Sequence, residues 1–237
     1  MSEPVVNRSI GYCGKIPTKG DFIQSNFDIE FLQIWNEWLQ AVIAVSKEQL
    51  EDNWLDCYLT SPIWHFSLSA GVCGDSAAIG TLMPSVDKVN RYFPFTIVAK
   101  HTLTAVQAWH ENEWDVILET KILEALKDEF DLEIWFDKLA DEVKLIDSDK
   151  ISISNIESMH KIKKAWVVQG QFSPTILQLI HQQYYHQFKN YSLWWTTGSD
   201  LINPCFIVTD GLPQVSQFVS MLDGNWELRD WNISEIV

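Results

Sequence analysis

Lys15 and Asp21, and further along Ser85, Asp87 and Arg91, are the residues of this 237-residue chain whose types and spacing offer chemistry. The first two lie in the run Gly14-Lys15-Ile16-Pro17-Thr18-Lys19-Gly20-Asp21-Phe22; the others lie in Met83-Pro84-Ser85-Val86-Asp87 and Arg91-Tyr92-Phe93-Pro94. Glycine and proline fix the backbone of these runs, so they read as shaped loops and not as ordinary surface. Two readings of the charges stay open. In one, Asp21 turns its own loop and Arg91 pairs with Asp87 or Asp21 to pin the loops together, an arrangement that serves specificity more than stability. In the other, the same groups are presented from a rigid scaffold as a recognition surface for a partner.

Catalytic patterns fit poorly. A phosphate-binding loop needs four residues between its glycines and a hydroxyl after its lysine, but Gly11-Tyr12-Cys13-Gly14-Lys15 has two, and Ile16-Pro17 follows. A helical metal site pairs histidines four apart, whereas His181 and His186 are five apart, and His101, His110 and His160 have no partner at a useful spacing. A nucleophile elbow of the form G-x-S-x-G is missing, as are cofactor fingerprints. The expectation is therefore a non-enzymatic chain without metal or cofactor. An enzyme or small-molecule-binding protein using loops 14–22 and 84–94 is the alternative, and it requires those loops to converge on a deep pocket. Cys13, Cys57, Cys73 and Cys205 are too scattered for a zinc site or a disulfide framework and read as reduced and mostly buried. A reactive thiol at Cys13 or Cys73 is the competing possibility.

Composition narrows the class. Hydrophobic residues make up 46% of the chain, with twelve Trp and twelve Phe, enough for a substantial core. A net charge of −15 with only 17 basic residues argues against nucleic acid, whose phosphates demand clustered Lys and Arg. Between Glu111 and Asp149 there are 14 acidic and 4 basic residues, either a solvated helical face or a docking face for a basic partner. No apolar run approaches the ~20 residues of a membrane span, and Met1 to Ile10 lacks the features of a signal peptide, so no membrane insertion and a cytoplasmic location are expected.

The elements that position the loops follow from periodicity. Apolar residues three and four apart predict a helix over Asp28 to Glu51, capped by Ser25 or Asn26, with a stripe that includes Trp35 and Trp38. A helical turn holding Trp54 and Tyr58 ends before Pro62. Strands are predicted at Ile63 to Leu68, with His65 on the wetter face, and at Ala77 to Met83 and Phe95 to Lys100. Helices follow at Thr104 to Lys127 and Asp131 to Leu145, then an exposed loop over 147–164 and a strand at Ala165 to Val168. The last third reads as helix Pro174 to Phe188, strands Ser192 to Thr197 and Pro204 to Thr209, and helix Pro213 to Leu222. Trp194 and Trp195 are adjacent on a strand and face opposite sides, which leaves Trp195 as a candidate exposed anchor. The sum is a single α/β chain of the α+β type, over 1–237, with a mixed, largely antiparallel sheet covered by helices. It has a motif-rich part at 10–100, an acidic helical part at 104–146 and a C-terminal part at 165–231.

Further words accompany the two loops: Trp54-Leu55-Asp56-Cys57-Tyr58-Leu59-Thr60-Ser61-Pro62-Ile63-Trp64, Gly71-Val72-Cys73-Gly74, Leu193-Trp194-Trp195-Thr196-Thr197-Gly198-Ser199, Gly211-Leu212-Pro213 and Met221-Leu222-Asp223-Gly224-Asn225-Trp226. In this order they resemble the type VI secretion-associated TagF/ImpM family, while 101–190 carries no such word. The resemblance implies an accessory regulator of the bacterial type VI secretion system. Such proteins act as post-translational repressors by binding a cytoplasmic forkhead-associated-domain scaffold protein. The face expected to hold that partner comprises Lys15, Asp21, Ser85, Asp87 and Arg91, with Trp195. A structural subunit of the secretion assembly is the remaining alternative, and it requires large exposed apolar patches.

Overall fold

The computed structural model describes residues 10–111, 113–146 and 172–233. The predicted loop over 147–164 and the predicted strand at Ala165 to Val168 lie outside them.

Among the described residues, seven strands form one sheet: β1 (Ile10–Gly14), β2 (Ile23–Ser25), β3 (Trp64–Leu68), β4 (Ala77–Met83), β5 (Phe95–His101), β6 (Tyr191–Thr196) and β7 (Cys205–Asp210). Their order is β2-β1-β5-β4-β3-β6-β7. Every pairing is antiparallel, so the parallel component expected of a mixed sheet does not occur among the described residues. The motif loop over 14–22 proves to be a hairpin connection, because Ile10 to Gly14 and Ile23 to Ser25, neither expected as strand, flank it. The period-two signal is weak in both, because β1 carries Gly11 and Gly14 where strands usually carry side chains and β2 is only three residues long.

The helices are α1 (Ile29–Leu50), α2 (Trp54–Leu59), α3 (Ala105–His110), α4 (Glu113–Glu124), α5 (Leu132–Ile146), α6 (Phe172–Phe188) and α7 (Ser220–Asp223). They cover both faces of the sheet, in keeping with the strict alternation of side chains along each strand. On one face Trp64, Phe66, Leu68, Ala78, Leu82, Val98 and Trp194 meet the α1 stripe of Phe31, Trp35, Trp38, Leu39 and Val42. Trp35 lies nearly parallel to Trp194, 6.0 Å between ring centres, and 4.7 Å from Phe66. Truncating a ring buried this fully costs about 3–5 kcal/mol. On the other face Tyr12, Ile79, Met83, Phe95 and Ile97 pack under Trp114, Leu118 and Ile122 of α4 and Trp135, Phe136 and Leu139 of α5.

Double coverage corrects the reading of His65. It does face away from the α1 layer, but α3 and α4 cover that side too, and the residue is 3% exposed. Its Nδ1 is 2.9 Å from the Thr81 hydroxyl and its Nε2 is 3.2 Å from Glu119.

Local chemistry explains the remaining differences. The α1 cap is Asp28, whose carboxylate pairs with Lys100; Ser25 is in β2, and Asn26, at φ 58°, donates its amide to the Ile10 carbonyl. The single helix expected over Thr104 to Lys127 is two, because Glu111 leaves helical geometry after α3. Thr104 and Gln107 form a capping box at the start of α3. The helix expected over Pro213 to Leu222 shrinks to a 3-10 turn at Gln217–Val219 followed by α7. There the indoles of Trp38 and Trp64 take the carbonyls of Pro213 and Met221, at 2.9 and 3.1 Å. No helix among the described residues is long and apolar enough to cross a membrane.

Gly14 ends β1 at φ +130°, and a Cβ there would lie 2.1 Å from the Pro94 carbonyl oxygen. Neither the angle nor the approach admits a side chain. Gly14→Ala is accordingly expected to destabilise the fold by ~2–4 kcal/mol, read as a lowered urea midpoint with an unchanged slope.

Candidate functional site

The two motif loops meet at one end of the sheet, where β1 runs into β2 and β4 into β5. The first loop is anchored by Ile16, fully buried against the α4–α5 side, and tightened by a bond from the Lys19 amide to the Ile16 carbonyl. The second closes on itself. Val86 bridges Tyr92, the Phe93 amide bonds the Ser85 carbonyl at 3.1 Å, and the Asp87 amide bonds the Arg91 carbonyl at 3.1 Å. Asn90 takes the turn position at φ 62°, a conformation asparagine tolerates.

From below, the buried hydroxyl of Tyr58 donates to the Ser85 carbonyl and accepts from the Ser85 amide, each at 2.9 Å. Burial pushes this phenol's pKa up, so it remains a donor at any physiological pH. Ser85 was expected to present its hydroxyl outward. Instead the residue is buried, and it holds the loop through its backbone.

At the centre stands Asp87, whose side chain has no exposed surface. Its Oδ1 accepts the amides of Val89 and Arg91 at 3.0 and 2.9 Å, and its Oδ2 accepts the Lys15 ammonium at 2.9 Å and the Arg91 Nε at 2.7 Å. Burial works against its ionisation, but the Arg91 amide, the Lys15 ammonium, the Arg91 guanidinium and the Val89 amide outweigh it. The carboxyl is held well below the usual carboxylate range. Arg91 also reaches the first loop, donating Nη2 to the Gly20 carbonyl. A bond of 2.9 Å from the Lys88 amide to the Lys19 carbonyl and an edge-to-face contact of Phe22 with Phe93 complete the closure.

The structure therefore brings together four of the residues singled out in the sequence, Lys15, Ser85, Asp87 and Arg91, and makes of them a clamp. Asp21 stands beside it, fully exposed and 4.0 Å from Arg91, a separation at which an exposed pair contributes little. Trp195 belongs elsewhere. It is part-buried, stacked on His65 at 5.8 Å, with its indole donating to Asp115 at 2.7 Å. The exposed-anchor reading fails because α3 and α6 cover the face of β6 that alternation assigned to solvent, and Asp115 of α4 reaches the indole. Burial raises the pKa of the Asp115 carboxyl there. Asp115 and Glu119, four apart on α4, reach Trp195 and His65 in turn, and that spacing was the available sign of the cluster. Lys19 and Tyr58 were overlooked as parts of the loop closure, although both lie in the quoted words.

Two cavities among the described residues bear on the small-molecule alternative. One of about 390 Å³ is polar and opens beside Gln49, Gln217 and Arg229; that beside Pro84 and Pro94 holds about 10 Å³. Cys13 and Cys73 are buried, and burial pushes both thiols up to about 12, far from the range of a reactive thiolate.

Residues 11–141, which include both loops, match the TagF N-terminal domain, type VI secretion system-associated. The chain belongs to the TagF family. It is also similar to PA0076 from Pseudomonas aeruginosa PAO1, known from a crystal structure: 26% identical, with a TM-score of 0.78, over 97% of this chain and 98% of that one. Among curated proteins, none matches it. For this member of the family, the α+β fold is thus shared with a solved protein.

Removing one clamp charge has asymmetric consequences. Asp87→Asn strands the Lys15 ammonium, only 15% exposed, whereas Arg91→Ala leaves the Lys15–Asp87 pair intact. The first is expected to lower the melting temperature more than the second. Because the folded-state pKa of Asp87 is depressed, its contribution is fully present above the unfolded value of 3.8 and fades as pH falls below it. Thermal melts of the wild type and Asp87→Asn should show a constant gap at neutral pH that narrows below pH 3.8.

Proposed function

We propose that this chain is a non-enzymatic accessory regulator of the bacterial type VI secretion system. It represses assembly or firing after translation, in the cytoplasm, by contact with a forkhead-associated scaffold component. The observation that carries this reading is the location of the clamp. The family's span contains both loops, and the chain invests a buried carboxylate, two cations and a tyrosine in holding them in one fixed shape at one end of the sheet. Loops held this firmly lose little entropy when a partner binds, which favours recognition by a preformed surface. Repression then follows from occlusion, since a scaffold engaged at this face is unavailable to the assembly.

Calorimetric titration of the purified scaffold into the purified chain tests the reading. A saturable complex is expected, and raising the level of this protein in secreting cells should lower secreted product without changing transcript. Absence of heat, together with no co-elution on size exclusion, would sink it.

A further inference from the structure

Of the residues that make the clamp, Arg91 alone also faces outward from it. Lys15, Ser85 and Asp87 are turned in and committed to one another or to backbone, and what remains at the surface is a different set. Lys19, Lys88 and Arg91 are exposed, with Asp21 the exposed anion beside them. The same two loops carry two exposed apolar side chains: Val89 is 61% exposed, and Phe22 is 38% exposed while propped against Phe93. On a chain with 32 acidic and 17 basic residues, a rim of three cations around apolar groups inverts the prevailing sign. Asp87 is buried and shared by Lys15, Arg91 and two backbone amides, and exposed Asp21 lies 4.0 Å from Arg91, so four cations, Lys15, Lys19, Lys88 and Arg91, against two anions, Asp21 and Asp87, leave a local net charge of +2.

We propose that this rim, Lys19, Lys88 and Arg91 around Val89 and Phe22, docks an acidic protein segment that carries an apolar anchor. The cations select the sign of the partner and steer its approach, while the body of the protein, with the exposed Asp128, Glu129, Asp131, Glu133, Asp137 and Asp141, repels acidic segments elsewhere. The apolar pair supplies the contact that persists once the charges are in register. Nucleic acid would satisfy the cations, but the surrounding negative body opposes a long polyanion. An acidic segment needs only this one rim. The assignment of the partner as the scaffold rests on the function proposed above; the chemistry of the partner does not.

Lys19 and Lys88 contribute only backbone atoms to the loop closure, so Lys19→Glu with Lys88→Glu reverses the rim and spares the clamp. An unchanged melting temperature checks this. In the full chain, a benzophenone amino acid at Val89 is expected to crosslink to an Asp- and Glu-rich segment in cells expressing the secretion genes. The same probe at Leu228, 77% exposed on another part of the surface, should not reach that segment. The double reversal should cut the Val89 adduct by about tenfold or more, as should high salt applied to the purified pair. A Val89 adduct in an acidic segment of a protein other than the scaffold supports the rim and overturns the scaffold reading. Scaffold binding that survives the double reversal unchanged overturns the rim and leaves the scaffold reading standing. No Val89 adduct, or one to nucleic acid or to a segment without acidic residues, also overturns the proposal.

Discussion

A carboxylate with no exposed surface remains ionised only where the chain brings donors to every side of it, and Asp87 meets that condition with two amides, an ammonium and a guanidinium. Much else at this end of the molecule follows from it. Lys15 must leave β1 at the right angle, which requires the left-handed turn at Gly14. Arg91 must fold back onto Asp87, four residues earlier in the chain, which requires the Asn90 turn. Tyr58 must come up beneath Ser85, which places α2 against the loop. The charge is therefore better regarded as a register mark than as a source of stability.

The second constraint is that the sheet is covered on both sides. It forces the unusual aromatic content: the α1 face is filled by stacked and tilted rings, Trp35, Trp38, Phe66 and Trp194, and most of the indoles find a distant acceptor. It also explains why polar residues lie deep in the molecule. His65, Ser67 and Thr81 occupy the second face of their strands, and α3 and α4 close over them.

These two constraints account for what could and could not be read from residues alone. The α1 stripe, the β3 alternation and the β4–β5 pair were legible because each is a local pattern with one period. So was the company of Lys15, Asp87 and Arg91, since the loop words hold them close to turn-forming residues. The fate of His65 and Trp195 was not legible. Alternation assigns a side chain to a face but does not say whether a helix covers that face, and α3, which does so together with α4, begins about forty residues after His65. Nor could sequence separate the inward Ser85 and Asp87 from the outward Lys88 and Val89, because the distinction is made by Tyr58 and by the Asx turn around Asp87.

Strand order carries a consequence for how the molecule comes into being. β3 lies between β4 and β6, and its partner residues run from His65 with Trp195 to Leu68 with Ser192. Until synthesis has passed Thr196, then, β3 has one unpaired edge, and Trp35 and Phe66 lack the ring that finally covers them. The N-terminal residues matched by the family model are thus not a self-sufficient unit here. They form a platform left open on one side, and the nascent chain must keep an aromatic surface and a free strand edge from other chains until its own last third arrives to close them.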